Sequence, residues 1–298
     1  MSAALFALVV SFASLMNKLV SVYHLPFLVL FFRYLFSFSG SFALQKVGFL
    51  HYSYAGKGRR GLLFVNALVY AASHALQIIG LVYAPSILNA ILFATVPVWA
   101  EILAFFVLKE KASLRQSVLV LISMGCLIAM LVLGQSQAVG AIHPLGFFLL
   151  LGSCIMEAVN NILIRFLKAD YSPTEISFAA SGIALVVCSC ILALQCLGTG
   201  LSAAQLFAPA KDLSFLLPVL YLGLGCTLAS GILKGVALQN MSALKASAWS
   251  NVASALSILF GVLLLKETFH SYQIFCSIGI VGSVLGIQAE KQQKTNLQ

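Results

Sequence analysis

Ten apolar stretches follow one another along the chain, at roughly 2–22, 27–45, 61–83, 86–108, 114–134, 145–166, 174–197, 213–235, 243–265 and 271–288. A helix needs about 17–25 apolar residues to cross the hydrocarbon layer of a bilayer. Backbone polar groups find no water in that layer, so a stretch of this kind must satisfy them internally as a helix. Turn and charge signals stand between most of the stretches: His24-Leu25-Pro26, the basic "AGKGRRG" loop from Ala55 to Gly61, Pro85, "GQSQAVG", His143-Pro144, Ser172-Pro173 and "LGTGLSAAQLFAPAKD". The prediction is an all-α membrane protein with ten transmembrane helices. Composition agrees, with 61% hydrophobic and 8% charged residues and a mean hydropathy of +1.04. A soluble domain carries about 25% charged residues.

The net charge of +9 has a topological reading. No long basic stripe with interleaved aromatics is present, so nucleic acid is not an expected partner. With the N-terminus inside, thirteen Lys and Arg fall on the inner side and three (Lys18, Lys211, Lys266) on the outer, Arg33 lying within the second stretch. Basic residues resist translocation, which places both termini in the cytoplasm. The chain is expected to be an integral protein of a bacterial inner (plasma) membrane. "MSAALFALVVSFASLMNKLV" lacks a basic start and a small-x-small cleavage site before Asn17-Lys18 and reads as a retained first helix. The seven cysteines lie almost all in apolar runs without a CxxC pair and read as buried structural thiols. No metal and no cofactor is implied.

Sliding the sequence by 157 residues sets Leu108-Lys109-Glu110 on Leu265-Lys266-Glu267, Gln116 on Gln273, Gly125 on Gly282 and Leu81 on Leu238. Two halves of five spans each follow: residues 1–134, residues 145–288, and a cytoplasmic tail at 289–298. An odd number of spans forces the second half to enter the membrane upside down. The first "LKE" turn continues with Lys111 and Arg115, as an inner loop should; the second continues "TFHSY", without Lys or Arg. Inverted repeats are common in secondary transporters, where the substrate site lies near the midplane between the halves.

"VPVWAEILAFFVLKEKASLRQSVLVLISMGCLIAM" and "GVLLLKETFHSYQIFCSIGIVGSVLG" resemble the EamA-like branch of the drug/metabolite transporter superfamily. The resemblance rests on Pro97 in the fourth span, on Glu110 and Glu267 closing that span and its partner, and on Arg33 in "FFRYLFSF". It covers most of the chain, more weakly in spans six to eight. Ser254 stands where Pro97 would repeat, a departure that bears on whether spans four and nine bend alike. The resemblance implies ten helices around a central cavity, with spans five and ten peripheral.

Residues three and four apart share a helix face. Such stripes run through Asn66, Tyr70, Ser73, His74 and Gln77; through Ser153, Glu157, Asn160 and Asn161; through Thr227, Ser230 and Lys234; through Ser247, Ser250, Asn251 and Ser254; and through Asn89, Pro97 and Glu101. Ser, Thr and Asn glue helices together at about 0.6 kcal/mol a contact. A charge at the centre of a span costs about 2.5–3.5 kcal/mol on insertion scales, so Glu101 and Glu157 face a wet cavity or a partner such as Arg33 or Lys234. The candidate substrate-binding set is Glu101, Glu157, His74, Tyr70, Gln77, Asn66, Asn160, Asn251, Trp99, Trp249, Arg33 and Lys234, with Glu101 and Glu157 supplying its negative side. Three alternatives stay open: His74 as a hydrogen-bonded core residue, the tryptophans as packing, and Lys234 and Lys245 snorkelling to the surface. Pro97 donates no backbone hydrogen bond and allows a kink one turn before Glu101. Gly279, Gly282 and Gly286 form a small-residue face, for packing within a monomer or for a homodimer seam.

The expected function is secondary active transport of a small metabolite by alternating access. Mixed charges suit a zwitterion, amino-acid-like or S-adenosylmethionine-like. The alternative is an exporter or exchanger (an antiporter) of a nucleotide-linked or drug-like compound. No GxxxxGK[ST] loop is present for ATP-driven pumping. The scattered histidines and the lack of HExxH or GxSxG argue against an enzyme, and polar stripes in two inverted halves argue against a channel. Substrate, lipid and a monomer or homodimer complete the expected partners.

Overall fold

A computed structural model describes residues 2–21, 23, 25–54, 57–84, 89, 92–109, 113–133, 144–199, 206–265 and 271–289. Among the described residues every regular element is helical. They are α1 (Ser2–Ser11), α2 (Ala13–Ser21), α3 (Pro26–Lys46), α4 (Arg60–Tyr83), α5 (Val96–Val107), α6 (Leu114–Leu133), α7 (Pro144–Leu167), α8 (Pro173–Thr199), α9 (Leu213–Gly223), α10 (Ser230–Asn240), α11 (Ala243–Leu265) and α12 (Ser271–Ala289). Five stretches are long and apolar enough to cross a membrane: Pro26–Lys46, Arg60–Gly80, Pro144–Leu167, Pro173–Gly198 and Leu213–Asn240. Shorter apolar helices fall at Ser2–Asn17, Leu92–Val107, Leu114–Ala129 and Ile274–Ile287. Glu110, Glu267 and most of the C-terminal tail lie outside the described residues.

Three of the apolar stretches are locally broken. Between α1 and α2 the helix turns at Phe12. The run Leu92–Ala94 is separated from α5 by Thr95, and Pro97 sits in the first turn of α5. The Thr95 hydroxyl and amide both donate to the Leu92 carbonyl, at 2.6 and 2.9 Å. A proline at the start of a helix loses nothing, because the first amides have no intrahelical partner; the same proline deeper inside would break the ladder. Between α9 and α10 runs a π-turn, Leu224–Ala229, in which the Thr227 hydroxyl donates to Leu222 O at 2.9 Å. Such wide turns are rare and often mark functional positions. By contrast α11 runs unbroken past Ser254, so spans four and nine are not bent alike.

Helices of the two halves interleave. α1 packs on α11 and α10, α3 on α8 and α9, α4 on α7 and α8, α5 on α7 and α11, and α6 on α12. Glycine permits the closest approaches. A Cβ on Gly146 of α7 would sit 2.9 Å from the Tyr83 carbonyl at the end of α4, and one on Gly223 would sit 2.9 Å from the Arg33 carbonyl. The outer surface carries exposed Phe64, Phe106, Phe148, Leu194 and Phe275, as a lipid-facing surface does. Cys154, Cys188 and Cys226 are buried, whereas Cys190 is exposed on α8.

Candidate functional site

A central cavity of about 370 Å³ lies among α1, α3, α4, α5, α7, the α9–α10 turn and α11. Charged residues reach it from α3, α7 and α10. Arg33 comes from the middle of α3, Glu157 from α7 and Lys234 from α10. Glu157 and Lys234 are joined by an ion pair, their side chains 14% and 20% exposed. Arg33 has no acidic partner among the described residues. Its Nε donates to Thr227 Oγ1 at 2.5 Å and its Nη2 to the Cys226 carbonyl at 3.5 Å. The π-turn makes this possible, since it offers a hydroxyl and a carbonyl sideways to a guanidinium that Gly223 lets approach.

One wall is aromatic. Tyr70 and His74 stand one turn apart on α4 with ring centroids 4.5 Å from each other, and Tyr34 packs edge-on against both. His74 Nδ1 lies 3.0 Å from the Tyr70 carbonyl. A carbonyl only accepts, so Nδ1 carries the proton. The opposite wall, on α11, is polar, with Ser250, Asn251 and Ser254. Asn251 is fixed by donating to Ser123 Oγ at 2.9 Å, and Asn161 by donating to Ser247 Oγ at 3.1 Å.

A narrower cavity of about 50 Å³ shares Tyr70, Thr227, Gly231 and Lys234 with the central one and continues past Asn66 and Asn160 toward Pro173 and Ile176. Asn66 Nδ2 donates to Asn160 Oδ1 at 2.8 Å across it. At its far end the first turn of α8 is held down by the loop that precedes α4. Lys57 Nζ meets both Glu175 oxygens at 2.7 and 2.6 Å, and the Ser53 amide donates to Glu175 Oε1 at 2.8 Å. Arg59 pairs with Asp170 at 3.4 Å, and the Tyr54 and Tyr171 hydroxyls donate to Glu175 O and Gly58 O. Burial, with the Glu175 charge beside it, raises the Tyr54 phenol well above its usual range, so it stays a donor.

Of the residues expected at the site, Arg33, Tyr70, His74, Glu157, Lys234 and Asn251 line the central cavity, and Asn66 and Asn160 line its narrow continuation. Four stand elsewhere. Gln77 donates to Asn89 Oδ1 at 3.3 Å. The Trp99 indole donates to Thr95 Oγ1 at 3.1 Å and its ring packs in the core beside Ala100 and Ala104. Trp249 packs between two core clusters. Glu101, expected to supply the negative side of the site together with Glu157, stands apart from the central cavity. It accepts a hydrogen bond from Ser117 of α6 and lines a separate outer groove of about 550 Å³ with Val98, Ile102, Phe105 and Phe106. That groove exceeds the central cavity in volume, but exposed phenylalanines form its rim and it opens on the outer surface. Glu101 and Glu157 therefore do not share one site. Thr227, Ser230, Ser250 and Ser254 line the cavity and were legible as stripe members. Phe6, Val10 and Phe93 also line it, and nothing in an all-apolar span singles them out.

The sequence pattern of the EamA-like transporter family matches residues 144–288. An uncharacterized transporter, YcxC of Bacillus subtilis (strain 168), is 25% identical over 294 residues, which span 99% of this chain and 94% of that protein. A solved crystal structure that is 14% identical superposes with a TM-score of 0.78 over 96% of this chain and 94% of its own; that likeness is one of fold.

Proposed function

Taking as premise that the chain is a member of the EamA family of the drug/metabolite transporter superfamily, we propose that the central cavity is the substrate site of a secondary active transporter. It works by alternating access and carries a small zwitterionic metabolite. A single observation carries this reading. Both halves of the chain wall one cavity, and that cavity holds Arg33 beside the Glu157–Lys234 pair in an otherwise apolar bundle. Ionisable groups are costly within a span and there mark substrate or ion paths. A zwitterion meets both signs: its carboxylate goes to Arg33, its ammonium to Glu157. A binding site between two halves, with broken helices at its wall, is the arrangement on which carriers rock.

The test is counterflow in proteoliposomes loaded with unlabelled amino acids and given the same radiolabelled pool outside. A carrier gives saturable, transient accumulation, and Glu157→Gln lowers it at least ~tenfold, ~1.4 kcal/mol. Flux that rises linearly with concentration and shows no counterflow would instead describe a channel.

A further inference from the structure

The strong acids and bases of the central cavity do not balance. Two bases, Arg33 and Lys234, and one acid, Glu157, line it among the described residues. Glu157 is taken by Lys234, and Arg33 is held only by neutral groups, Thr227 and the Cys226 carbonyl. Its Nη1 has no protein hydrogen-bond partner among the described residues. A simple zwitterion brings one negative and one positive charge and leaves this surplus in place.

The two bases are also spaced apart. Arg33 is anchored at Thr227 and at the Cys226 carbonyl, whereas Lys234, seven residues beyond Thr227 in the chain, is anchored at Glu157 of α7. With a different anchor for each base, a ligand that carries two carboxylates offers each base an acid and leaves the Arg33–Thr227 bond in place. Charged hydrogen bonds in such a site are the strong ones, and a guanidinium takes a carboxylate through two parallel N–H donors.

We infer that the ligand of this site is an α-amino dicarboxylate, a zwitterion with a second acid group. One carboxylate sits on Arg33, the other at Lys234, and the ammonium lies between them at Glu157. The inference rests on the central cavity being the substrate site. The short carbon chain of the ligand lies against Phe6, Val10 and Phe93, and the hydroxyl and amide wall of Ser250, Asn251 and Ser254 receives the remaining acid oxygens and ammonium protons. Binding replaces the Glu157–Lys234 contact with ligand contacts of the same signs.

Calorimetric titration of the purified full chain in detergent tests this with three molecules of one carbon skeleton: L-glutamate, L-glutamine and glutarate. Glutamate is expected to bind at least ~tenfold more tightly than either of the others, ~1.4 kcal/mol. Glu157→Gln is expected to turn the order round, so that glutarate exceeds glutamate, and Arg33→Gln to abolish glutamate binding while Arg33→Lys keeps part of it. Each variant must elute as the wild type does on gel filtration. Glutamine binding as tightly as glutamate, or no binding of any of the three up to about 10 mM, overturns the inference. If glutamine binds and Arg33→Gln removes it, the cavity remains the substrate site and only the second acid group is lost. If glutamate binds and is unaffected by Arg33→Gln and by Lys234→Met in folded protein, the cavity reading itself falls.

Discussion

Glu101 and Glu157 show how far a residue's role is readable from its neighbours in sequence. Both are carboxylates deep in apolar spans, and both sit on a polar stripe. The stripe around Glu157 is dense: Ser153, Asn160 and Asn161 lie on the same side of α7, and Ser153, Asn160 and Asn161 are all buried. The stripe around Glu101 rests on Asn89 and Pro97, and the break at Thr95 separates Asn89 from Pro97 and Glu101, which share α5. Spacing therefore groups residues by face within α7 or within α5, and does not carry from Asn89 across the break. It also cannot say which neighbour a face meets, and α6 brought Ser117 to Glu101. Glu101→Gln keeps a hydrogen-bonding partner for Ser117, so counterflow is expected to stay within about twofold of wild type. The loss from Glu157→Gln is expected to reach at least ~tenfold, because Lys234 then faces the cavity unpaired. Equal losses in both variants, read in the same proteoliposome assay, would return Glu101 to the site.

At the scale of elements, the helices themselves were legible and their contacts with loops were not. The basic loop before α4 reads in sequence as a topological signal and nothing more. In the fold it is a clamp, with Lys57 on a Glu175 that is 3% exposed and two backbone amides, from Ser53 and Ser172, on the same carboxylate. The pairing joins residues more than a hundred positions apart, which no local pattern encodes. Glu175 is flanked in sequence by Pro173 and Ile176, which line the narrow cavity that Lys234 also lines, so the clamp is tested as a barrier to that cavity. Lys57→Met removes the ion pair and also the ammonium that lies over the Tyr171 ring, and keeps an apolar stem of similar length. With Ser177→Cys as a reporter at the narrow cavity in a cysteine-free background, maleimide labelling is expected to speed up at least ~tenfold in Lys57→Met, ~1.4 kcal/mol. An unchanged rate would make the clamp purely structural. A second tie has a pH signature. Asp212 caps α9 by accepting from the Ser214 amide at 2.9 Å and also accepts from the Tyr23 hydroxyl. Those bonds, Tyr23 first, hold its carboxyl below the usual range. A depressed folded pKa contributes stability above the unfolded value and loses it as pH falls through the folded one. Tyr23→Phe is expected to flatten that acid-side loss of Tm between about pH 5 and 3, and a slope identical to wild type would remove Tyr23 from the account.

For the molecule as a whole, the ordering of contacts has a symmetry that the weak repeat in the sequence only hints at. Exchange the halves, so that α1–α2 takes the place of α7, α3 of α8, α4 of the α9–α10 run, α5 of α11 and α6 of α12. The pairing of α1 with α11 then becomes that of α7 with α5, and α4 with α7 becomes α10 with α1. The contacts of α3 with α8, α5 with α11 and α6 with α12 map onto themselves. Such a pattern is what two repeats packed about a twofold axis produce, and it supports the proposed five-plus-five arrangement independently of side-chain identity. Identity at corresponding positions is low because an apolar span constrains class more than residue. If the second half is inverted, the twofold axis lies in the membrane plane and the clamp end of the cavity has a fixed side. Lys57, Arg59 and Arg60 crowd that end, and basic residues stay on the cytoplasmic face. The clamp then lies at the cytoplasmic end. Arg60 is exposed, so Arg60→Cys in a cysteine-free chain reports the side directly. In intact cells a membrane-impermeant maleimide is expected to leave it unlabelled, and to label it fully once the membrane is opened with detergent. Labelling of Arg60→Cys in intact cells would put the clamp outside and remove the charge argument for inversion.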